Sequence, residues 1–348
     1  SLKAHRDSVK EATPRILETF AFPDSLQYKR IIQWTHEREF HKMDVKQPDT
    51  SYNHWLHDYP FYRKDVNATW LGVAGSALQY YNWFNRTSEN GVSFYNPYES
   101  WTYSTKTLPM YNTKTPYTEL AYFGTIFANA QKESDNLHIL TTQNIFPELN
   151  FTLEYDRFGG NGIMQGEKTT NKTFVTSVNY LGKRYMMHTG YIHNKVIRKE
   201  NGGTSDNSMV RDTTLDAREY PINLNNASTD LIRNTFFLDQ QYRIPFTFIR
   251  NIKDRKIDKA FKDSLLASGD TARIDSLDVF LARRRAAREA ADTLGDNNIT
   301  TAFIGHSSEY SVFRKTYADQ ITDAAGKAFY NDVFNYNPTT SFDSVRVM

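Results

Sequence analysis

From Leu149 to Arg157 apolar and polar side chains alternate. Leu149, Phe151, Leu153 and Tyr155 fall on one side, and Asn150, Thr152, Glu154 and Asp156 on the other. A period of two predicts a β-strand with two chemically different faces. The same alternation sets Phe174, Val178 and Tyr180 against Thr173, Ser177 and Asn179. It sets Tyr185, Met187 and Tyr191 against His188, Gly190 and Asn194, and Phe236, Leu238, Tyr242 and Ile244 against Asp239, Gln241 and Arg243. Weaker strands are predicted at 117–126, 137–146 and 301–317, and another begins near Ser341.

The connections sort by length. Pro147-Glu148 and Gly182-Lys183-Arg184 are tight turns, whereas 127–136, 158–171, 199–231 and 318–335 are long and polar. Alternating short and long connections are expected of outer-membrane barrels, with tight periplasmic turns and longer external loops. A Greek-key sandwich has no reason to sort its loops by parity. One short-turn position carries a charged insertion, about 250–298, that reads as helical. Asp275 and Ser276 offer N-cap oxygens to the run LDVFLARRRAAREAADTL, and Gly295 closes it. By parity it is periplasmic, since Arg283, Arg284, Arg285 and Arg288 do not belong in lipid. Residues 1–110 show weak periodicity and many aromatics. Their Gly-containing stretch LGVAGSAL, 71–78, allows close backbone packing. This region is expected to be an irregular N-terminal segment, periplasmic or packed in a lumen.

Composition fits the strand reading. Mean hydropathy is −0.65, and no run of about 18 apolar residues predicts a transmembrane helix. Barrel strands dilute their own hydropathy, so this says nothing against them. Aromatics make up 14% and are mostly Tyr and Phe, which suits a wall meeting lipid and water. There are no cysteines, so disulfides and thiol chemistry are excluded. A net charge of +2 gives no argument for nucleic acid. Ser1 to Arg15 has no apolar core, so an exported protein would be represented here by its mature chain.

The segment YNTKTPYTEL, 111–120, followed by AYFG, 121–124, resembles the barrel entry of the putative porin family of Bacteroidetes. Residues 33–43 and TWLGVAGSALQYYNWF, 69–84, resemble that family's lead-in, and 137–195 follows its strand rhythm. The resemblance implies an all-β, antiparallel transmembrane β-barrel over 111–348. The ending Ser344-Val345-Arg346-Val347-Met348 stops mid-pattern. The expectation is therefore an incomplete barrel, an N-terminal portion of about seven or eight strands. The helical insertion departs from the family pattern.

No GxSxG, P-loop, dinucleotide glycine pattern or HExxH occurs, so no enzyme and no cofactor is expected. Gly159 to Gly162 follows a strand and opens no helix, so it reads as an external loop rather than a phosphate cradle. His54 and His57, near His36 and His41, have HxxH spacing, but Tyr52, Trp55 and Tyr59 around them favour aromatic packing over a metal site. Glu119, Glu154, Asp156, His188, Asp239, Arg243 and Glu309 fall at lumen-facing positions. They are candidate pore-lining groups that would set ion preference or serve as ordinary lumen salt bridges. Asp-Ser/Thr triplets within the insertion make Ser264, Thr271, Ser276 and Thr293 candidate O-glycosylation sites by the resemblance, although such pairs also cap helices.

The leading expectation is passive or weakly selective diffusion of small polar solutes across the outer membrane, with outer-membrane lipid as surroundings. The alternative is a membrane-anchoring barrel subunit that docks periplasmic or outer-membrane protein partners through its helical insertion. A soluble glycan-binding sandwich is a third.

Overall fold

The computed structural model describes residues 30–37, 42–48, 68–86, 92–124, 134–182, 184–209, 214–245, 247–268, 279–283, 286–287, 300–321, 324–336 and 343–347. The chain forms two compact units. One comprises Asp24–Asn179, His188–Leu238 and Ser307–Met348, and the other Ser1–Pro23, Tyr180–Met187 and Asp239–His306. The described residues are mostly β, and every pairing given for them is antiparallel.

The main sheet is an eight-stranded meander. Its strands are β6 (Tyr117–Phe123), β7 (Ser134–Phe146), β8 (Leu149–Asn161), β9 (Lys168–Leu181), β10 (Tyr185–Glu200), β11 (Ala227–Pro245), β12 (Thr300–Asp319) and β13 (Asp343–Val347). Each pairs with its sequence neighbour, and β6 and β13 form the two edges, so the sheet is not closed. All eight predicted strands are present.

The alternation creates a sheet whose faces are inverted relative to a soluble protein. Along β8, Asn150, Thr152 and Glu154 are at most 2% exposed, while Phe151, Leu153 and Tyr155 between them are half-buried. Along β9, Thr169, Asn171, Thr173, Ser177 and Asn179 are buried, while Phe174, Val178 and Tyr180 lie on the more open face. On β6 and β11 the outward Leu120 and Phe236 are 72% and 53% exposed.

One expectation requires correction. The stretch 158–171, read as a long loop, is mostly strand, and only 162–167 turns the chain. Gly159 permits this, because a Cβ there would lie 2.2 Å from the carbonyl oxygen of Thr169 on β9. Within the insertion the long described helix is α1, Thr247–Ser268, upstream of the predicted run 277–294. In that run residues 279–283 and 286–287 are helical, and its predicted caps, Asp275, Ser276 and Gly295, lie outside the described residues. Helix α1 is exposed on most sides, with Asp258 as a buried exception. A second helix, α2 (Ala324–Phe334), lies in the connection after β12. No helix among the described residues is long and apolar enough to cross a membrane.

The N-terminal segment is more regular than its weak periodicity predicts. Strands β1 (Ile31–Glu37), β2 (Lys42–Lys46) and β5 (Pro109–Thr113) form a sheet in the order β2-β1-β5. Strands β3 (Ala68–Trp70) and β4 (Leu78–Tyr80) form a hairpin. Between them Gly75 adopts a φ of +91°, a left-handed backbone that glycine reaches without a Cβ penalty. This is the stretch whose small residues suggested close packing.

Candidate functional site on the polar face of the sheet

The buried polar face is covered by the N-terminal segment, and the contact is made largely through asparagines. Asn171 Nδ2 donates to the Gly75 carbonyl at 3.0 Å, Asn179 Nδ2 to that of Tyr111 at 2.9 Å, and Asn194 Nδ2 to that of Tyr103 at 2.8 Å. On β7 the Asn144 side-chain oxygen accepts from the Thr113 N–H at 3.0 Å. A carboxamide offers both donors and an acceptor, so it can satisfy irregular backbone at Gly75 and Tyr103 and the backbone groups of β5 that face the sheet.

Apolar contacts interleave with these bonds. Leu78, Tyr80 and Trp101 of the segment cluster with Phe158 of β8, and Trp101 stacks on Phe158 at 4.9 Å. The Trp101 indole N–H donates to the Ser76 carbonyl at 2.7 Å. Tyr95 and Tyr98 pack with Val196 and Leu231. Burial pushes the Tyr95 phenol up to about 12, against the lowering effect of nearby Arg233.

The candidate residues divide into separate groups. Glu309 accepts from Thr105 Oγ1 of the segment at 2.9 Å and from Ser311 Oγ at 2.9 Å. It also lies 3.4 Å from Arg233 Nη2. Arg233, 1% exposed, faces Glu99 of the segment at 3.8 Å as well, and its guanidinium stands 5.2 Å from the Phe313 ring. His188, also buried, accepts from the Trp34 indole at 3.1 Å and stacks on His36 with ring centroids 4.5 Å apart. Of the predicted HxxH group, only His36 lies among the described residues, and its place is against His188. His41, His54 and His57 lie outside them.

Glu154 and Asp156 come together with His138 of β7. His138 Nδ1 is 2.5 Å from Asp156 Oδ1 and 3.9 Å from Glu154 Oε1. Glu119 on β6 accepts from Tyr117 Oη at 2.7 Å. In the other unit, Asp239 and Arg243 are buried on β11, and the Arg243 N–H donates to the Arg184 carbonyl at 2.7 Å. Ser264 is exposed on α1, and its hydroxyl donates to the Phe261 carbonyl at 2.9 Å. Thr271, Ser276 and Thr293 lie outside the described residues.

Arg233, Glu99 and His138 escape a reading of the sequence. Arg233 was within reach, since it continues the polar parity of Thr235, Asp239 and Arg243 one step earlier along the strand.

The arrangement is a wall of polar groups facing a packed segment, with an apolar surface behind it. Such an arrangement can pass or hold polar solutes on one side while meeting lipid on the other. A family model described as "Putative porin" matches residues 30–348. No curated protein and no solved structure matches the chain.

Proposed function

The chain belongs to the putative porin family, and from that membership we propose that it forms an outer-membrane β-barrel admitting small polar solutes. The observation that supports this most is the inverted sheet. Phe174, Tyr191, Phe236 and Tyr242 stay exposed on one face while polar side chains are buried on the other. In water the outer face would be a large apolar liability; in a bilayer it is solvated by hydrocarbon. The edges β6 and β13 each need a partner in lipid, where unpaired backbone groups are costly. Closing the barrel satisfies both edges, by pairing them with each other or with other strands. A porin family points to a channel rather than to an enzyme.

In this reading the polar face lines the lumen and the N-terminal segment occupies part of it. Solutes pass only through the space that the segment leaves or vacates. The same observation favours a second reading, in which the barrel is a closed anchor for protein partners docking on the exposed helix α1. Planar-bilayer recording of the full chain separates the two. Discrete conductance steps are expected for the channel, and electrically silent insertion supports the anchor.

The membrane setting is tested independently. The chain has no cysteine, so single variants F174C, F236C and Y242C can each carry one fluorophore. Quenching by brominated phospholipid, with none for a label at Asn179→Cys, is expected. Equal quenching at all four sites overturns the barrel reading.

A further inference from the structure

Four ionisable side chains meet on one patch of the polar face across β6, β7 and β8. His138 and Asp156 are direct cross-strand partners. Glu154 lies two residues earlier on the same side of β8. Glu119 sits diagonally opposite, two residues from Ala121, which pairs with His138. The donor atoms of His138, Glu154 and Asp156 lie within 4.8 Å of one another. Among the described residues this is the group of histidines and carboxylates that is close enough to share an ion.

We propose that His138, Glu154 and Asp156 bind a divalent first-row transition metal ion of the zinc type, with Glu119 beside it. Charge is the first argument. Three carboxylates surround one imidazole, so the patch carries a net negative charge that a dication offsets. Ligand type is the second, because an imidazole with carboxylates suits zinc, whereas magnesium and calcium sites are built from oxygen alone.

Geometry is the third argument. Ligand atoms at ~2.0–2.2 Å from a tetrahedral ion stand about 3.3 Å apart. The 2.5 Å separation of His138 and Asp156 must therefore open, and the 3.9 Å separation of His138 and Glu154 must close, each by less than an ångström, while Glu154 and Asp156, within 4.8 Å of each other, must approach by up to about 1.5 Å. Side-chain rotation on two paired strands supplies that. Access is the fourth. The Glu154 side chain is 1% exposed, while those of His138 and Asp156 are about a quarter exposed. One ligand is thus fixed from below and two can be reached by an entering ion. A plain His138–Asp156 hydrogen bond uses the same contact, and the experiment distinguishes it from a metal site.

The test is zinc titration, by calorimetry, of the full chain folded in detergent micelles after treatment with a chelator. Two polar variants on different strands, H138Q and the isosteric D156N, guard against a change of fold, and far-UV circular dichroism checks both. The expected result is about one saturable equivalent of zinc, weakened at least about tenfold in each variant and unchanged in H54A/H57A. Cobalt substituted at the site should give visible absorption bands that both variants abolish. Wild-type protein without saturable zinc binding overturns the proposal. So does affinity that survives H138Q and D156N, or affinity that disappears with His54 and His57.

Discussion

The Arg233 guanidinium lies 3.8 Å from the Glu99 carboxylate, with both side chains at most 4% exposed. This contact ties β11 to the segment packed on the polar face. Glu309 approaches the same guanidinium from β12, so one cation joins two strands of the wall to the segment. Removing the cation from a buried charge group takes away the opposite charge that offsets the desolvation of its carboxylates. That outcome is worse than never having had the group.

Arg233→Met should therefore destabilise the folded protein by roughly 3–5 kcal/mol. The check is urea unfolding followed by intrinsic tryptophan fluorescence. Adding Glu99→Gln to R233M should recover part of the loss, because one of the two buried negative charges is removed. In bilayers R233M should also conduct more than wild type, since the segment loses its anchor to β11. Unchanged stability in R233M would mean that the charges are hydrated rather than buried.

The outer face should reject charge. Phe236→Lys places an ammonium where the proposal puts hydrocarbon, at a cost of about 2–4 kcal/mol near the midplane and less towards either interface. Phe236→Leu should be close to neutral. Folding into liposomes at graded urea concentrations reads the difference. In a soluble protein an exposed Phe→Lys change would be nearly silent, so an equal stability for the two variants sinks the membrane assignment.

Strand existence was legible because alternation is a local signal, and the two-residue turn at Pro147-Glu148 was legible because it is short. Pairing was harder to read. A regular two-residue hairpin that pairs Phe146 with Leu149 would set His138 against Arg157. An irregularity between Asn144 and Phe146 shifts the register by one, and His138 meets Asp156 instead. Ile145 and Phe146, adjacent at the end of the strand, are both exposed, and this breaks the alternation that a sequence count depends on. The three-stranded N-terminal sheet was hidden for a different reason. Its central strand β1 pairs with β5 nearly the whole segment away, a separation that local periodicity does not register. The charge group of Arg233, Glu99 and Glu309 is likewise non-local: parity places Glu309 on β12 and Arg233 on β11, but not their meeting with Glu99.

Gly159 has a stronger requirement than its place in a glycine-rich run suggested. A methyl group there would press on the Thr169 carbonyl and on the Thr170 Cα, both backbone atoms that cannot rotate away. Gly159→Ala should cost roughly 1–3 kcal/mol through this overpacking and lower the yield of folded protein. Gly203→Ala provides a contrast, since nothing lies within 4 Å of the added carbon there. Its cost should come only from a φ of +81°, roughly 1 kcal/mol or more. The heat-modifiable band on cold gels, measured for both variants, should show the larger loss for G159A.

Alkaline pH should loosen the N-terminal segment through Tyr95. Burial holds its phenol protonated to about 12 in the folded chain, against about 10 when the chain is unfolded. The folded state therefore keeps a proton that the unfolded state releases. Stability linked to this group is complete below pH 10 and falls as pH rises towards 12. Two units correspond to about 2–3 kcal/mol at the upper end. Tyr95→Phe removes the titrating group together with its hydrogen bond to Thr102, 2.9 Å long in the folded chain. The variant should start less stable at neutral pH by roughly 1 kcal/mol, yet lose less between pH 10 and 12. Urea midpoints recorded at intervals across that range test this crossing of slopes. Parallel curves for the two proteins would show that Tyr95 is hydrated and that the segment does not pack there as described.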